Sequence, residues 1–259
     1  MKMEGKSLYG KYGDKLVLKG IDIKIENGEI VTIIGPNGSG KSTLIKILSR
    51  CLKPMSGNVF LEGVDITKIS TKEIAKKVAI LPQVKNVSYD ITVEGLVSYG
   101  RYPHLKFGKR IGEKDLEIIH WALEKTALTN LKDRYVNTLS GGERQRAWIA
   151  MALAQKPEVL FLDEPTTYLD ISYQLEVLEL VKELNESLGL TVIMVLHDLN
   201  QAARYSDNIY VLKDGEIFQY GRPKNIIESK LLKDVFRIES NIYTDEVNNC
   251  PYFIANKII

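Results

Sequence analysis

Hydrophobic positions along the chain change their period several times, and each change marks a different kind of element. From Ile21 to Glu26 apolar and polar residues alternate strictly, Ile-Asp-Ile-Lys-Ile-Glu. That is the pattern of a strand with one buried face. Asn27-Gly28 follows, a pair suited to a tight hairpin turn. Then come continuous apolar runs: IVTII at 30–34, VAIL at 78–81, VLFL at 159–162 and TVIMVL at 191–196. These runs are strand-length and apolar enough to be covered on both faces, as in a parallel sheet. Segments with helical character alternate with them: TLIKILSRC, STKEIAKK and ISYQLEVLELVKELNESLG. The alternation predicts an α/β fold with a mostly parallel sheet, preceded by an N-terminal stretch of short antiparallel strands.

Between residues 86 and 152 the pattern changes, and no buried-strand run appears. The segment GEKDLEIIHWALEKTAL sets Leu116, Ile119, His120, Leu123 and Ala127 at helical spacing. An inserted helical subdomain is expected there. The chain thus divides into a core in two parts, 1–85 and 153–222, a helical subdomain at 86–152 and an appendage at 223–259. The appendage should hold a helix around IIESKLLKDVF and a hairpin turning at Asn248-Asn249-Cys250-Pro251.

Composition narrows the classes. A chain of 259 residues can bury a sizeable core, and a formal charge of +2 gives no case for nucleic acid as partner. No apolar run approaches the 18 or more residues of a membrane-spanning helix. The N-terminal MKMEGKSLYGKYG has no stretch resembling a signal peptide. A cytoplasmic place is expected, with any membrane contact made through a partner. Cys51 and Cys250 lie far apart with no CxxC pattern, so neither a disulfide framework nor a zinc site is indicated. Three histidines make a histidine-rich metal site improbable.

The chemistry concentrates at the ends of the apolar runs. Gly35-Pro36-Asn37-Gly38-Ser39-Gly40-Lys41-Ser42 matches the phosphate-loop pattern G-x-x-x-x-G-K-[ST], with a buried strand before it and a helix after it. Backbone N–H groups of such a loop can cradle phosphate oxygens. Lys41 then neutralises the β/γ-phosphates, Ser42 offers a hydroxyl to Mg²⁺, and Thr43 adds a contact further back. VLFL ends in Asp163-Glu164, which suits Mg²⁺ binding at the first carboxylate and orientation of attacking water at the second. Gln83 follows VAILP and His197 follows TVIMVL, each at a strand's carboxyl edge, where ligands of parallel sheets bind. The amide of Gln83 can contact Mg²⁺ or the attacking water, and His197 a γ-phosphate oxygen. Alone, each is an ordinary packing or helix-start residue; together the four edges form one constellation.

One stretch contradicts helix propensity. Leu139-Ser140-Gly141-Gly142-Glu143-Arg144-Gln145-Arg146 opens a helix with a capping box, Ser140 and Glu143. Yet it places two glycines in the first turn, each costing about 1 kcal/mol relative to Ala. A close approach to its backbone N–H groups is one reason to keep them.

With LSGGERQ the chain resembles the ATPase subunits of ATP-binding cassette (ABC) transporters, over nearly all of residues 1–222. LSGGERQ falls after Gln83 and before Asp163-Glu164, which is the family's order. Thr166-Thr167-Tyr168-Leu169-Asp170 resembles the family's D-loop, usually S-A-L-D; Tyr168 departs from it and Asp170 keeps it. Tyr12 matches the aromatic that stacks on adenine. The resemblance implies a P-loop NTPase core that uses ATP and Mg²⁺. It also implies a head-to-tail pair of subunits, a homodimer being the simplest form, with each ATP between one phosphate loop and the other subunit's Ser140, Gly141 and Gly142.

The resemblance further implies a transmembrane permease docking near residues 86–110, an external substrate-binding protein reached through it, and a place on the cytoplasmic face of the cell membrane. Tyr89, Tyr99 and Tyr102 either supply part of that docking surface or belong to the core. Gly100-Arg101-Tyr102-Pro103-His104, with Thr92-Val93-Glu94, His197-Asp198-Leu199-Asn200-Gln201-Ala202-Ala203 and Leu169-Asp170-Ile171, resembles importers for iron–siderophore, haem and cobalamin. Read bare, GRYPH is a loop with a helix-stopping proline. Alternatives remain: an ABC ATPase for a metal ion or amino acid, a permease-free ABC ATPase acting on DNA or ribosomes, or a nucleotide-sensing module.

Overall fold

The computed structural model describes residues 2–83, 90–106 and 110–259. In chain order, β1 (Met3–Tyr12), β2 (Lys15–Ile25) and β3 (Ile30–Ile34) lead to α1 (Lys41–Leu48). Next are β4 (Ser56–Leu61), β5 (Val64–Asp65), α2 (Thr71–Lys77) and β6 (Val78–Leu81). The helical section holds α3 (Val93–Ser98), α4 (Glu113–Lys125) and α5 (Gly141–Ala154). Then come β7 (Val159–Asp163), α6 (Ile171–Leu188), β8 (Thr191–Val195), α7 (Leu199–Tyr205), β9 (Asn208–Lys213) and β10 (Glu216–Gly221). The chain closes with α8 (Pro223–Ile226), α9 (Ser229–Phe236), β11 (Ile238–Asp245) and β12 (Cys250–Ile258).

Two compact units result, one from residues up to Lys68 together with Thr191–Ile259, the other from Ile69–Leu190. In the first unit an antiparallel sheet runs β2-β1-β4-β5. The alternation at Ile21, Ile23 and Ile25 buries those three side chains and exposes Asp22 and Lys24, as its period requires. Beside it β3 pairs in parallel with both β8 and β9, and β10 adds antiparallel to β9. All five residues of β3 and all five of β8 are buried, which explains why these strands read as continuous apolar runs. Asn27-Gly28 does form a turn, with Gly28 at φ 74°. It is not a hairpin turn, however: β2 pairs with β1 while β3 pairs with β8 and β9, so the turn passes the chain between sheets.

In the second unit β6 and β7 pair in parallel, Val78 opposite Val159 through Leu81 opposite Leu162. The rest of the unit is helical, as the lost strand periodicity predicts. Among its described residues outside β6 and β7 the only bridge is Thr92 with Tyr135. Ser70 and Thr92 cap α2 and α3 by accepting from the N–H of Glu73 and Gly95. The stripe expected on α4 is narrower than its spacing suggests. Ile119, Ala122 and Leu123 are buried, whereas Leu116 and His120 face out and Ala127 lies past the helix end at φ 53°. His120 instead meets Glu94 at 2.9 Å.

The appendage belongs to the first unit. Its helix is α9, and its hairpin pairs Ile238 with Ile258 through Asp245 with Cys250. The turn spans 246–249, two residues earlier than the Asn248–Pro251 reading, since Cys250 and Pro251 are already in β12. Asp245 fixes it by accepting from the N–H groups of Val247 and Asn248. No helix among the described residues is long and apolar enough to cross a membrane.

Phe161, wholly buried in β7, is among the largest side chains of the core. Phe161→Ala should lower the unfolding free energy by about 3–5 kcal/mol, read as a reduced urea midpoint at constant m-value.

Candidate nucleotide and catalytic site

In the first unit β3 runs out at Ile34 and the phosphate loop begins at Gly35. Gly35 has φ 152°, and a Cβ there would meet the carbonyl oxygen of Leu212 at 2.1 Å. Gly40 has φ 106° and would meet Leu18 Cδ2 at 2.6 Å. Both positions combine an unfavourable conformation for side chains with a lack of room, so the loop's path requires glycine. Lys41 is buried, and its Nζ donates to the carbonyls of Gly35 and Pro36 at 2.8 and 3.0 Å. Asn37 and Gly38 stand exposed at the crown of the loop, while Ser39 is buried.

Helix α1 starts at Lys41 with Gly40 as its N-cap and no side-chain cap. Its first-turn N–H groups therefore lie outside the intrahelical ladder. Thr43 is buried and Ser42 partly so. The hydroxyl of Ser39 is buried without a hydrogen-bond partner among the described residues. A buried hydroxyl, an uncapped helix start and a lysine ammonium fit a polyanion such as a triphosphate.

His197 leaves β8 two residues after Val195, which is opposite Ile33 in the register. The imidazole-bearing segment and the phosphate loop thus emerge from adjacent parallel strands at the same edge. His197 is exposed, and Asp198 behind it caps α7 by accepting from the N–H groups of Asn200 and Gln201. Tyr12 ends β1, about half exposed.

In the second unit the register does the same for Gln83 and Glu164. Leu81 lies opposite Leu162, so residues two further along leave the pair side by side. The Gln83 Nε2 donates to Glu164 Oε2 at 2.5 Å. Thr167, which the sequence marks only as part of the D-loop-like segment and with no role of its own, donates its hydroxyl to the same oxygen at 3.1 Å. Glu164 has φ 54°, a left-handed conformation for a side-chain-bearing residue. Asp163 precedes it, buried at the end of β7. The carboxylate of Glu164 is thus aimed by two neutral donors, a suitable arrangement for a group that orients water.

Among the described residues no three His, Cys, Asp or Glu side chains are grouped to hold a metal. Oxygen and amide donors stand separately in the two units, the Ser42 hydroxyl in the first and the Asp163 carboxylate and Gln83 amide in the second. Their chemistry fits Mg²⁺, which takes one or two protein ligands and completes its shell with phosphates and water.

Helix α5 begins at Gly141 with the expected capping box. Ser140 N–H donates to Glu143 Oε2 at 2.8 Å, and Glu143 N–H to Ser140 Oγ at 3.2 Å. The Ser140 N–H, with the Ser140 hydroxyl and against the opposing effect of burial, holds the Glu143 carboxyl below its ordinary range. Of the two glycines, Gly141 is exposed and Gly142 buried. A Cβ on Gly142 would stand 2.3 Å from Cδ1 of Tyr173, at the start of α6. This glycine therefore has an intrachain reason beside any ligand: the Tyr173 ring occupies its side-chain space. The D-loop segment ends at Asp170, which N-caps α6 without a side-chain bond. Tyr168 and Ile171 around it are almost fully exposed, at 97% and 77%. Tyr99 and Tyr102 are also exposed, which removes them from the core. Tyr89 lies outside the described residues.

Residues 18–167 match the ABC transporter family model. The iron(3+)-hydroxamate import ATP-binding protein FhuC of Bacillus subtilis is 47% identical over 96% of this chain and 92% of its own length. The ferric enterobactin transport ATP-binding protein FepC of Escherichia coli is 43% identical over 98% and 93%. Among solved structures, an ABC transporter assigned to the metal-chelate type, in an inward-facing conformation, superposes with TM-score 0.85 at 25% identity. That likeness covers 98% of this chain and 97% of the other. A bacterial ABC transporter cassette solved as a dimer superposes with TM-score 0.73 at 32% identity, over 85% and 98%.

The lowered Glu143 value makes the capping box a pH-dependent contribution. It is fully present above the ordinary carboxylate value of 4.5 and is lost as pH falls through the lowered folded value. Thermal melts of the wild type and Glu143→Gln should therefore differ at pH 7 and converge in acid. The partly buried ring beside Gly142 makes a second expectation. Gly142→Ala should cost about 1–3 kcal/mol from overpacking, and adding Tyr173→Ala should recover part of it, read in a double-mutant cycle by denaturation.

Proposed function

We propose that this chain, which belongs to the ABC transporter family, is the ATP-hydrolysing subunit that powers an importer for iron–siderophore, haem or cobalamin-type chelates. The cargo class is supported by relatives 43–47% identical along nearly their whole length, one named for iron(3+)-hydroxamate import and the other for ferric enterobactin transport. The observation that carries the hydrolytic part is the Glu164 carboxylate, aimed by Gln83 and Thr167 beside the buried Asp163. The chain works in the functional segments 1–85 and 153–222 for nucleotide, 86–152 for docking and trans contact, and 223–259 as an appendage.

Tyr12 stacks on adenine, and the loop Asn37-Gly38-Ser39-Gly40 presents N–H groups to the phosphates. Lys41 releases its loop carbonyls to neutralise the β- and γ-phosphates, with Thr43 further back. Ser42, Asp163 and Gln83 would hold Mg²⁺, which when bound screens the phosphate charge. Glu164 orients the attacking water and accepts its proton, and His197 donates to a γ-phosphate oxygen. Ser140, Gly141, Gly142 and Asp170 of a second copy close over the same nucleotide. ATP closes this pair because the γ-phosphate contacts both copies, and cleavage removes that differential contact. The permease meets the chain near residues 86–110 and keeps it at the cytoplasmic face of the membrane. An external substrate-binding protein acts through that permease. Nucleic acid has no part.

Three variants test this. Glu164→Gln should accumulate an ATP-bound dimer on size exclusion with Mg²⁺ limiting; a monomer at saturating ATP would count against the sandwich. Lys41→Ala should reduce ATP turnover by about 10²-fold or more, as loss of a charge-neutralising contact does. Ser140→Arg should stop hydrolysis while leaving the monomer's ATP affinity nearly unchanged, measured by calorimetry; an equal loss of binding would place this helix in its own subunit's site.

A further inference from the structure

Segment Tyr99–His104 continues α3 as a tight 3₁₀ turn with Pro103 inside it, and it has two faces. Tyr99 and Tyr102 point outward with ring centroids 5.1 Å apart. The other face lies against the last turn of α5. A Cβ on Gly100 would stand 2.1 Å from the carbonyl oxygen of Met151, so that residue is glycine for close approach. Arg101 is only 5% exposed. Its Nη1 donates to the carbonyl of Ala154 at 2.7 Å and its Nε to Asp115 Oδ1, in the first turn of α4, at 2.9 Å. His104 Nε2 lies 2.8 Å from the carbonyl of Gln155.

Gln155 also faces the other way. Its side-chain amide donates to the carbonyls of Ala75 and, at 2.7 Å, Val78. Val78 opens β6, the strand that ends just before Gln83. The end of α5 is therefore held on one side by the 99–104 segment and on the other by the strand that delivers Gln83.

The last carbonyls of a helix have no intrahelical partners and carry the negative end of its dipole. A buried guanidinium bonded there makes a strong, charge-assisted contact. Burial disfavours ionisation of Asp115, but the bonds from Arg101 and the Gly112 N–H outweigh it and hold its carboxyl below the usual range. Helix α5 has 14 residues and so spans about 21 Å. It is a stiff rod whose far end carries Ser140, Gly141 and Gly142.

We propose that Arg101, supported by His104, is a positioning residue: by fixing the last carbonyls of α5 it places the helix's first turn, Ser140–Gly142, for the opposing nucleotide. The geometric part stands on the contacts alone. The catalytic consequence rests on the ATPase function proposed above.

Hydrogen exchange of the isolated chain separates placement from local support. In Arg101→Ala, amides at 142–146 should exchange about fivefold or more faster, those of α6 staying at wild-type rates. His104→Ala should show a smaller rise at the same amides. Arg101→Lys, which keeps the charge but lacks the fork, should fall between wild type and Arg101→Ala. A change confined to residues 150–156, or a uniform rise across the chain, would reduce Arg101 to a local prop and overturn the proposal. Where Arg101→Ala does not fold, Arg101→Lys and Asp115→Asn carry the same comparison, and exchange unchanged at 142–146 in both overturns it.

In steady-state turnover, Arg101→Ala should lower kcat by about tenfold with the monomer's ATP affinity within twofold of wild type. Wild-type kcat in that variant would also overturn the proposal. A wild-type chain that hydrolyses no ATP would sink the proposed function by itself, and the exchange data would still decide the role of Arg101.

Discussion

Parallel strand register is the constraint on which the rest depends. Backbone pairing fixes which residues leave neighbouring strands together, and here it does so twice. Ile33 opposite Val195 sends the phosphate loop and His197 out at one edge. Leu81 opposite Leu162 sends Gln83 and Glu164 out side by side. A slip of one residue in either pair would turn every side chain over and separate these groups. The wholly buried and mostly apolar β3, β7 and β8 hold that register, so the core and the chemistry are consequences of the same packing.

Helix α5 shows how one element can serve several demands at once. Its start is capped by its own Ser140 and Glu143, its second residue is reduced to glycine by a neighbouring ring, and its end is gripped by a buried arginine. Glycine in a first turn costs helix propensity, and the tyrosine packed into the space recovers some of that as contact. Packing inside the chain is thus enough to ask for glycine at Gly142.

Much of this was legible in residue order. Continuous apolar runs identified β3, β6, β7 and β8 because those strands are covered on both faces and need no polar side. Strict alternation identified the half-exposed end of β2 for the opposite reason. Periodicity failed where exposure is decided by distant neighbours. Leu116 keeps helical phase with Ile119 yet faces solvent, and Asn27-Gly28 turns the chain without closing a hairpin because the pairing partners of β3 come from residues 191–213. At the site, residue types with chemistry stood out, whereas Thr167 and Tyr173 did not. A threonine hydroxyl that aims a carboxylate, or a ring that fills a glycine's space, has no local pattern; only the folded register brings it into contact.

Glu164 carries a consequence for how this protein can change. Its backbone sits at φ 54°, where a side chain is strained and a glycine is not, at a cost of order 1–3 kcal/mol. Random drift toward greater robustness would favour glycine, or asparagine, at this position, and either would discard the carboxylate to which the proposed function gives the orientation of water. Selection for turnover and selection for folding thus pull in opposite directions at a single residue. A lineage of this chain released from hydrolysis should lose the acid here early, becoming a sturdier scaffold as it ceases to be an engine.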